Sequence, residues 1–277
     1  MLFASVDLAA RVEAAECALL TACVAASARR RGEVLARPLA GGLASFVAAG
    51  SPLNKIAGLG FAGPVDPADF AAVEDEFRRR GAAPQVEVAT LADPSILALL
   101  QDRGYRLVGF ENVLACPLPA QAPATAPAIE ITPSPPDQVE RWLDVMIDGF
   151  ANPDAQGLPS HESFPRDLLR AVMADMAEAA GVVRLLAHRE GSTAGAATLH
   201  LGHGVALLCG AATLPAHRRR GVQSALLTHR LAAAAAAGCE LAVVTTQPGS
   251  KSQENVQRLG FALLYARAIF VGPAPAT

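Results

Sequence analysis

The chain is poor in lysine and in aromatic residues, and it has no excess of positive charge. Its 277 residues include 23 lysines and arginines against 26 aspartates and glutamates, which gives a net charge of −3. Because proteins that bind nucleic acids usually present a basic surface, this balance argues against a nucleic-acid partner. Lysine occurs only at Lys55 and Lys251, a scarcity that we attribute to genomic composition bias rather than to function.

Disulfide frameworks, zinc motifs and membrane segments are missing as well. The cysteines are odd in number, scattered and without CxxC spacing, namely Cys17, Cys23, Cys116, Cys209 and Cys239. They are typical of reduced, mostly buried thiols in a cytoplasmic protein. No apolar run reaches about 18 residues without a polar interruption, and the N-terminal residues lack the basic region of a signal peptide. We therefore expect a cytoplasmic protein with no membrane partner.

The composition does provide core material for two domains, since 52% of the residues are hydrophobic. Residues 117–128 are rich in proline and alanine, which favours an extended linker over packed structure. The sequence therefore predicts a first domain over residues 1–116 and a second over residues 129–277.

The two halves resemble each other at a constant spacing of 156 residues. Residues 86–90 and 242–246 are β-type runs, and Gly104 and Gly260 each follow a helical pattern and precede an aromatic residue. Each half thus ends in a predicted helix, strand, helix and strand. Such alternation also arises by chance, but the agreement of three elements at one spacing favours a duplication, with two copies of one fold.

The second half is predicted in the order α-α-β-β-β-α-β-α-β. Hydrophobic residues recur at helical spacing over residues 136–150 and 164–180, and glycine turns separate the three predicted strands that follow, over residues 182–188, 193–201 and 205–213. Hairpins at the front and a β-α-β unit at the back predict the α/β class, with a mixed, mostly antiparallel sheet flanked by helices on both faces.

The stretch over residues 213–227 carries the most specific signal in the chain. A β-rich run ends at Pro215, three arginines and Gly221 follow, and an amphipathic helical pattern begins at Val222. The first amides of a helix have no intrahelical acceptor, and a glycine lets a ligand approach the backbone closely. The stretch therefore predicts a site for a pyrophosphate, the alternative being a charged helix entry on the surface.

The same stretch resembles a motif of the GCN5-related N-acetyltransferases (the GNAT superfamily), whose pattern is Arg/Gln-x-x-Gly-x-Gly/Ala. Residues 259–261, Leu-Gly-Phe, are similar to the end of a second motif of that family, and the predicted element order of residues 129–272 is that of its fold. The resemblance implies two tandem GNAT-like domains, the second of them catalytic. It also implies acetyl-CoA as the acyl donor and direct transfer of the acetyl group to an acceptor, usually an amine.

The resemblance further implies which residues hold the cofactor. The amides from Arg219 to Ser224 would bind the pyrophosphate, and the arginines would add charge, some of it toward the 3′-phosphate. The end of the preceding strand would lie along the pantetheine, where one N–H could polarise the thioester carbonyl. The predicted cofactor-binding residues are Ala211, Ala212, Thr213, Arg218, Arg219, Arg220, Gly221, Val222, Gln223, Ser224, Ser252 and Asn255.

Three positions depart from the family pattern. Gln223 stands where glycine or alanine is usual, which crowds the approach to the phosphate. Gly249 occupies a position that often holds asparagine, and Val256 replaces the tyrosine that commonly protonates the leaving thiolate. Because free thiols have a pKa of about 8.5, a thiolate leaves without much protonic help, and we expect the missing tyrosine to weaken transfer rather than prevent it.

No carboxylate marks the general base on residues 207–210, where many relatives carry glutamate. Four side chains on segments expected to border the acceptor cleft are candidates, namely His200, His203, Asp148 and Glu162. Because a histidine can accept a proton near neutral pH, we predict His200 as the catalytic residue. The alternative for each candidate is a structural or surface role.

The first half lacks these phosphate-binding features. At the spacing of 156, residues 62–65 correspond to the arginines and Gly221, and Asp66 and Asp69 place negative charge at the predicted helix start. That charge would oppose a phosphate. We therefore interpret residues 1–116 as a degenerate copy of the fold that has lost CoA binding and serves a structural role.

Taken together, the residues and the resemblance predict an acetyl-CoA-dependent N-acetyltransferase without a metal. Its acceptor would be a small-molecule or peptide amine, and its state a monomer or a homodimer. A CoA-binding regulatory module without turnover is the alternative, because both the tyrosine and the strand carboxylate are missing.

Overall fold

A computed structural model describes residues 2–120, 129–152 and 164–274 of the chain. This part of the chain forms two compact units. The first unit contains residues 3–113 together with the residues from Leu263 onward, and the second contains residues 114–262. Each unit has a hydrophobic core of its own.

The first unit begins with a long helix and continues as a sheet with two shorter helices. Ser5 caps the long helix, because its side chain accepts a hydrogen bond of 3.1 Å from the Leu8 amide. The elements are α1 (Val6–Arg31), β1 (Leu35–Leu39), β2 (Gly42–Phe46), β3 (Lys55–Ala57), α2 (Pro67–Arg79), β4 (Gln85–Ala89), α3 (Ser95–Asp102) and β5 (Arg106–Pro117).

The second unit comprises most of the remaining elements, but the last strand belongs to the first unit from Leu263 onward. Short 3-10 turns at Pro136–Gln138 and Pro215–His217 precede two of its helices. The elements are β6 (Ile129–Pro133), α4 (Val139–Ala151), α5 (Arg166–Ala177), β7 (Val182–Arg189), β8 (Ser192–Gly202), β9 (Val205–Leu207), β10 (Ala211–Thr213), α6 (Val222–Ala236), β11 (Leu241–Thr246), α7 (Lys251–Gln257) and β12 (Ala262–Val271).

The sheet of the first unit runs in the order β1-β2-β3-β4-β12. Strands β1, β2 and β3 pair antiparallel, β3 pairs parallel with β4, and β12 pairs antiparallel with β4. Apolar residues of α2 at helical spacing, Phe70, Val73 and Phe77, are fully buried against this sheet. The Phe77 ring meets that of Phe46 edge to face, with 6.1 Å between centroids.

The sheet of the second unit joins β6, β7, β8 and β9 as antiparallel neighbours and adds β11 parallel to β9. Helix α6 packs on one face of this sheet, where Val222, Leu226 and Leu231 belong to the core. Helix α4 lies against β8 and β10. The indole of Trp142 on α4 donates a hydrogen bond of 3.3 Å to the Ala197 carbonyl of β8.

The division into units differs from the predicted domains at the ends of two strands. Residues from Leu263 onward were expected in the second domain, but β12 pairs with β4 and therefore joins the first unit. Conversely, the end of β5 belongs to the second unit, and the Leu118 amide donates to the Glu240 carbonyl at 2.9 Å. Of the predicted linker over 117–128, residues 121–128 lie outside the described residues.

The predicted order of helix, strand, helix and strand occurs at both places in the chain, as α2-β4-α3-β5 and as α6-β11-α7-β12. One predicted strand is broken, because residues 205–213 form β9 and β10 with a turn between them. In the part of the chain that the structure describes, no helix has the length and hydropathy of a membrane span.

Candidate cofactor site

The sheet of the second unit opens between β10 and β11. Strand β9 pairs with β11, and this pairing ends where the Leu208 amide donates to the Val243 carbonyl at 2.8 Å. Among the described residues, β10 then pairs with β8 alone, whereas β11 continues to Thr246. The change occurs at Gly210, whose φ of 72° is natural for a residue without a side chain. The result is a gap bounded by the edges of two strands.

The hydrogen bonds of β10 decide which of its backbone groups face the gap. The Thr198 amide donates to the Gly210 carbonyl at 3.1 Å, and the Leu214 amide donates to the Ala194 carbonyl at 3.0 Å. In an antiparallel pair, every second residue bonds to the same neighbouring strand. Gly210, Ala212 and Leu214 therefore bond to β8.

The intervening residues, Ala211 and Thr213, direct their backbone groups away from β8 and toward the gap. Sequence reasoning treated Ala211, Ala212 and Thr213 as equivalent contacts along a cofactor. The register separates them, because the Ala212 backbone is used within the sheet. Only Ala211 and Thr213 have backbone groups on the open side.

The start of α6 lies directly after β10 and offers a row of amides. Gly221 is the cap residue, with a φ of 82° and no side-chain hydrogen bond to the helix. Arg219 also has a positive φ, of 59°, and such turns bring successive N–H groups together into a concave nest. The first helical bond runs from the Ala225 amide to the Gly221 carbonyl at 2.9 Å. The amides of residues 219–224 donate to no acceptor among the described residues.

The three arginines of this turn have different roles. The guanidinium of Arg218 folds back on the protein, with Nε donating to the Thr213 carbonyl at 3.4 Å and Nη2 donating to the Asn152 carbonyl at the end of α4. Arg219 and Arg220 are exposed, and neither forms an ion pair within the described ranges. The resemblance implies that all three add charge for the cofactor, and among them it is Arg218 that contacts the backbone.

Two threonine hydroxyls at the ends of the gap strands are buried without a hydrogen-bond partner among the described residues. They belong to Thr213, the last residue of β10, and to Thr246, the last residue of β11. Buried polar groups are rarely left unpaired in a native protein. Because Gly195 stands opposite Thr213 and a Cβ built on it would meet Val222, the Thr213 side chain faces the start of α6.

Close packing on both faces holds β10 in place. A Cβ added to Gly195 of β8 would lie 2.8 Å from Val222 Cγ1 and 2.8 Å from the Ala212 carbonyl oxygen. A Cβ added to Gly149 of α4 would collide with the Ala212 side chain from the other face. These two glycines therefore let α4 and α6 approach β10 more closely than any other residue would allow.

The remaining predicted cofactor residues lie on α6 and α7. Val222 is buried and anchors the helix, Gln223 is half-buried and Ser224 is exposed. Ser252 is exposed and Asn255 is half-buried on α7, one helical turn apart. Neither side chain forms a hydrogen bond to a described residue.

His200, the predicted base, lies on β8 and is 4% exposed. A Cβ added to Gly181 would lie 3.0 Å from its Nε2, so the ring packs under the turn before β7. His200 is two residues beyond Thr198, roughly 7 Å along the strand from the level of Gly210. It is thus close to the strand break but enclosed.

The other candidate bases are more distant from the gap or engaged. His203 is exposed in the turn after β8, Asp148 forms an ion pair with Arg166, and Glu162 lies outside the described residues. Within the described ranges, no group of three or more histidine, cysteine or acidic side chains is arranged to hold a metal ion.

Sequence reasoning missed two residues at this site. Thr246 is the second of two threonines that end an apolar run, and this change from apolar to polar residues is a signal in the sequence. Arg230 interrupts the apolar stripe of α6, four residues after Leu226, and is 2% exposed. A charged residue at a core position of an amphipathic helix is unusual enough to have been noticed.

Comparisons with known proteins identify a similar domain and similar folds. The family model for the acetyltransferase (GNAT) domain matches residues 124–245. No curated protein matches the chain in sequence. A GCN5-related N-acetyltransferase from Kribbella flavida has a similar structure, with 21% identity, 94% of this chain and 95% of that chain covered, and a TM-score of 0.63.

Two further solved structures have the same fold. A tandem GNAT protein from the clavulanic acid biosynthesis pathway is 14% identical, covers 100% of this chain and 98% of its own, and has a TM-score of 0.60. A GCN5-related N-acetyltransferase from Sphaerobacter thermophilus is 18% identical, with 75% of this chain and 66% of that chain covered and a TM-score of 0.53. The chain therefore has the fold of GCN5-related N-acetyltransferases, and residues 124–245 match the GNAT acetyltransferase domain.

Proposed function

We propose that the second unit binds acetyl-CoA and transfers its acetyl group to an amine. The observation that carries this proposal is the row of open amides at residues 219–224 beside the gap between β10 and β11. The amides and the exposed Arg219 and Arg220 suit a pyrophosphate. The gap suits the pantetheine, because the Ala211 backbone and the Thr213 amide lie on its open side.

When bound, acetyl-CoA supplies a thioester whose carbonyl carbon an amine can attack. The Ala211 amide faces the gap and can donate to the carbonyl oxygen as negative charge develops on it. His200 accepts the proton of the amine in this proposal, which requires the acceptor, or a water, to reach its buried ring. In this proposal residues 1–116 are a degenerate copy that binds no CoA, because the Asp66 carboxylate caps the first turn of α2.

A CoA-binding module without turnover is the second candidate. Residues 207–210 carry no carboxylate, Val256 replaces a common proton donor, and His200 is 4% exposed. All three features concern proton transfer, and none concerns the amides that would bind the pyrophosphate. This candidate therefore shares the binding site and differs only in chemistry.

Titration calorimetry with CoA and acetyl-CoA, followed by thiol release with a panel of amines, tests both candidates. We expect binding and amine-dependent thiol release from the native protein. Arg219→Glu places negative charge beside the amides and is expected to weaken binding by at least about tenfold. Arg79→Glu is the matched control, because Arg79 is exposed at the end of α2.

Each outcome separates the candidates. Binding without thiol release for any amine would support the module without turnover. Unchanged affinity in Arg219→Glu, or no binding by the native protein, would contradict the assignment of the turn.

A further inference from the structure

Arg230 is a buried cation without a carboxylate partner in the described part of the chain. It lies on α6, it is 2% exposed, and burial lowers its pKa to about 10 because the charged form is poorly solvated. A buried charge is costly unless hydrogen bonds compensate for it. The bonds that this guanidinium makes therefore show what it does.

The guanidinium joins two strands at the point where the sheet opens. Nη1 donates to the Thr198 carbonyl of β8 at 3.1 Å and to the Gly210 carbonyl of the strand break at 3.4 Å. Nε donates to the Leu226 carbonyl one turn earlier on the same helix, at 3.3 Å. The Gly210 carbonyl also accepts from the Thr198 amide. Arg230 thus ties the break between β9 and β10 to β8 and to α6.

The Gly210 carbonyl and the Ala211 amide belong to the same peptide group. Because that group is planar and trans, the Ala211 N–H points opposite to the carbonyl, and hence into the gap. A charged donor on a carbonyl draws electrons along the peptide group and makes its N–H a stronger donor. The charge of Arg230 is in this way transmitted to the open side of β10.

We infer that Arg230 is a positioning residue, which aims and polarises the Ala211 amide toward the thioester carbonyl by holding the Gly210 carbonyl. This inference rests on the proposed function. Arg230 itself faces the other end of the peptide group, so it acts through Ala211 and not by contact with the substrate. Its contribution is expected in the chemical step, since the thioester oxygen gains charge only there.

Arg230→Met tests this role, because methionine keeps an unbranched stem at this position and removes the charge and all three hydrogen bonds. Leu231→Ala is the matched control, since Leu231 is the next residue of α6, is 2% exposed and does not bond to the strand break. We expect kcat of Arg230→Met to fall by about tenfold or more, with a smaller change in the KM for acetyl-CoA. Leu231→Ala should lower the melting temperature but leave kcat close to the native value.

The amide proton resonance of Ala211 provides a second readout in the free protein. It should shift upfield in Arg230→Met and remain near its native position in Leu231→Ala. Arg230→Lys retains the charge, and we expect it to recover part of kcat and of the resonance shift. Should Arg230→Met fail to fold, the same two measurements on Arg230→Lys and Arg230→Gln decide the question, with Lys expected closer to the native protein.

The inference is overturned if kcat falls no further in the Arg230 variants than in Leu231→Ala, or if the Ala211 resonance is the same in all of them. If the native protein neither binds acetyl-CoA nor transfers acetyl groups, the proposed function fails. In that case the resonance still decides whether Arg230 polarises the Ala211 amide.

Discussion

Helices α2 and α6 hold the same place in the two halves of the chain, but their first turns have opposite electrostatics. Asp66 caps α2, and its carboxylate accepts a hydrogen bond of 2.7 Å from the Ala68 amide. Pro67 follows it and has no amide hydrogen to donate. Helix α6 starts at Gly221 without a side-chain cap and after three arginines. An amide in the first turn of α2 is thus bound by the Asp66 carboxylate, whereas the first amides of α6 are open and lie beside positive charge.

The two units also differ in where their charges lie. In the first unit, ionisable residues from five elements form a buried network, namely Glu13, Glu16, Lys55, Glu87, Glu111, Tyr265 and Arg267. In the second unit, Arg219 and Arg220 are exposed at the candidate site. We infer that the charges of this network act on folding, whereas the exposed Arg219 and Arg220 act on the proposed ligand.

Breaking the buried network should have the largest effect. In the native protein Arg267 Nε lies 2.8 Å from Glu13 Oε1, and both residues are 1% exposed. In Arg267→Met the Glu13 carboxylate loses this partner. A carboxylate left buried without its cation is strongly destabilising, so we expect the free energy of unfolding to fall by about 3–5 kcal/mol. Denaturant titration measures this loss. Arg258→Met, at an exposed pair with Glu254, is the control and should have little effect.

The same substitution also tests the contrast itself. If the folded Arg267→Met protein bound acetyl-CoA much more weakly than the native protein, the division of roles between the two units would be wrong.

The pH dependence of stability should be the next largest effect. Burial, and then the neighbouring Glu87, raise the pKa of Glu111 to about 7, against the lowering influence of Lys55 and Arg267. The folded protein therefore binds a proton that the unfolded chain releases at a pH between about 4.5 and 7. The stabilising contribution of the Glu111 proton to the free energy of unfolding is complete below pH 4.5. It falls by about 3 kcal/mol as the pH rises through 7.

Unfolding titrations between pH 5 and pH 8 measure this slope, with Glu111→Gln as the comparison. The glutamine cannot titrate, so we expect a flatter profile and greater stability than the native protein at pH 8. Parallel profiles for the two proteins would show that Glu111 does not hold the proton.

Converting the open helix start into a closed one should change ligand affinity more than stability. Gly221→Asp places a carboxylate beside the free amides, as Asp66 does in α2. Gly221→Asn has nearly the same shape and the same cost of a positive φ, but no charge. We expect acetyl-CoA to bind Gly221→Asp at least about tenfold more weakly than Gly221→Asn. Equal affinities by calorimetry would mean that charge at this turn does not matter for the ligand.

Removing the cap of α2 should have the smallest effect. Asp66→Ala leaves the Ala68 amide without its acceptor, so we expect a loss of about 1 kcal/mol in the free energy of unfolding. Asp66→Asn retains an acceptor oxygen and should lose only a fraction of that. An effect of Asp66→Ala on acetyl-CoA affinity would show that the N-terminus of α2 has more than a structural role.

Local chemistry explains what could be predicted from the sequence. The arginines, Gly221 and the apolar stripe of α6 are adjacent in the chain, so one short segment specifies the turn and the helix that follows it. The negative charge of Asp66 at the other helix start was predicted for the same reason, and its capping bond is present. Repetition of the element order was visible because matching segments of the two halves lie at a constant spacing of 156 residues.

Long-range pairing explains what could not be predicted. The Gly210 turn was interpreted as the interior of one strand, because glycine occurs in strands and its φ of 72° is not encoded locally. The side-chain conformation of Arg218 depends on its hydrogen bond to the Asn152 carbonyl, and Asn152 is distant in the chain. Tertiary contacts alone decided these conformations.

The start of α6, its charge and its open amides follow from residues that are neighbours in the chain. Long-range contacts set three other features, because β10 leaves β11, β12 joins the first unit, and Arg230 bonds to the Gly210 carbonyl. The sequence of a strand does not specify its partner, since backbone hydrogen bonds are the same for every residue except proline.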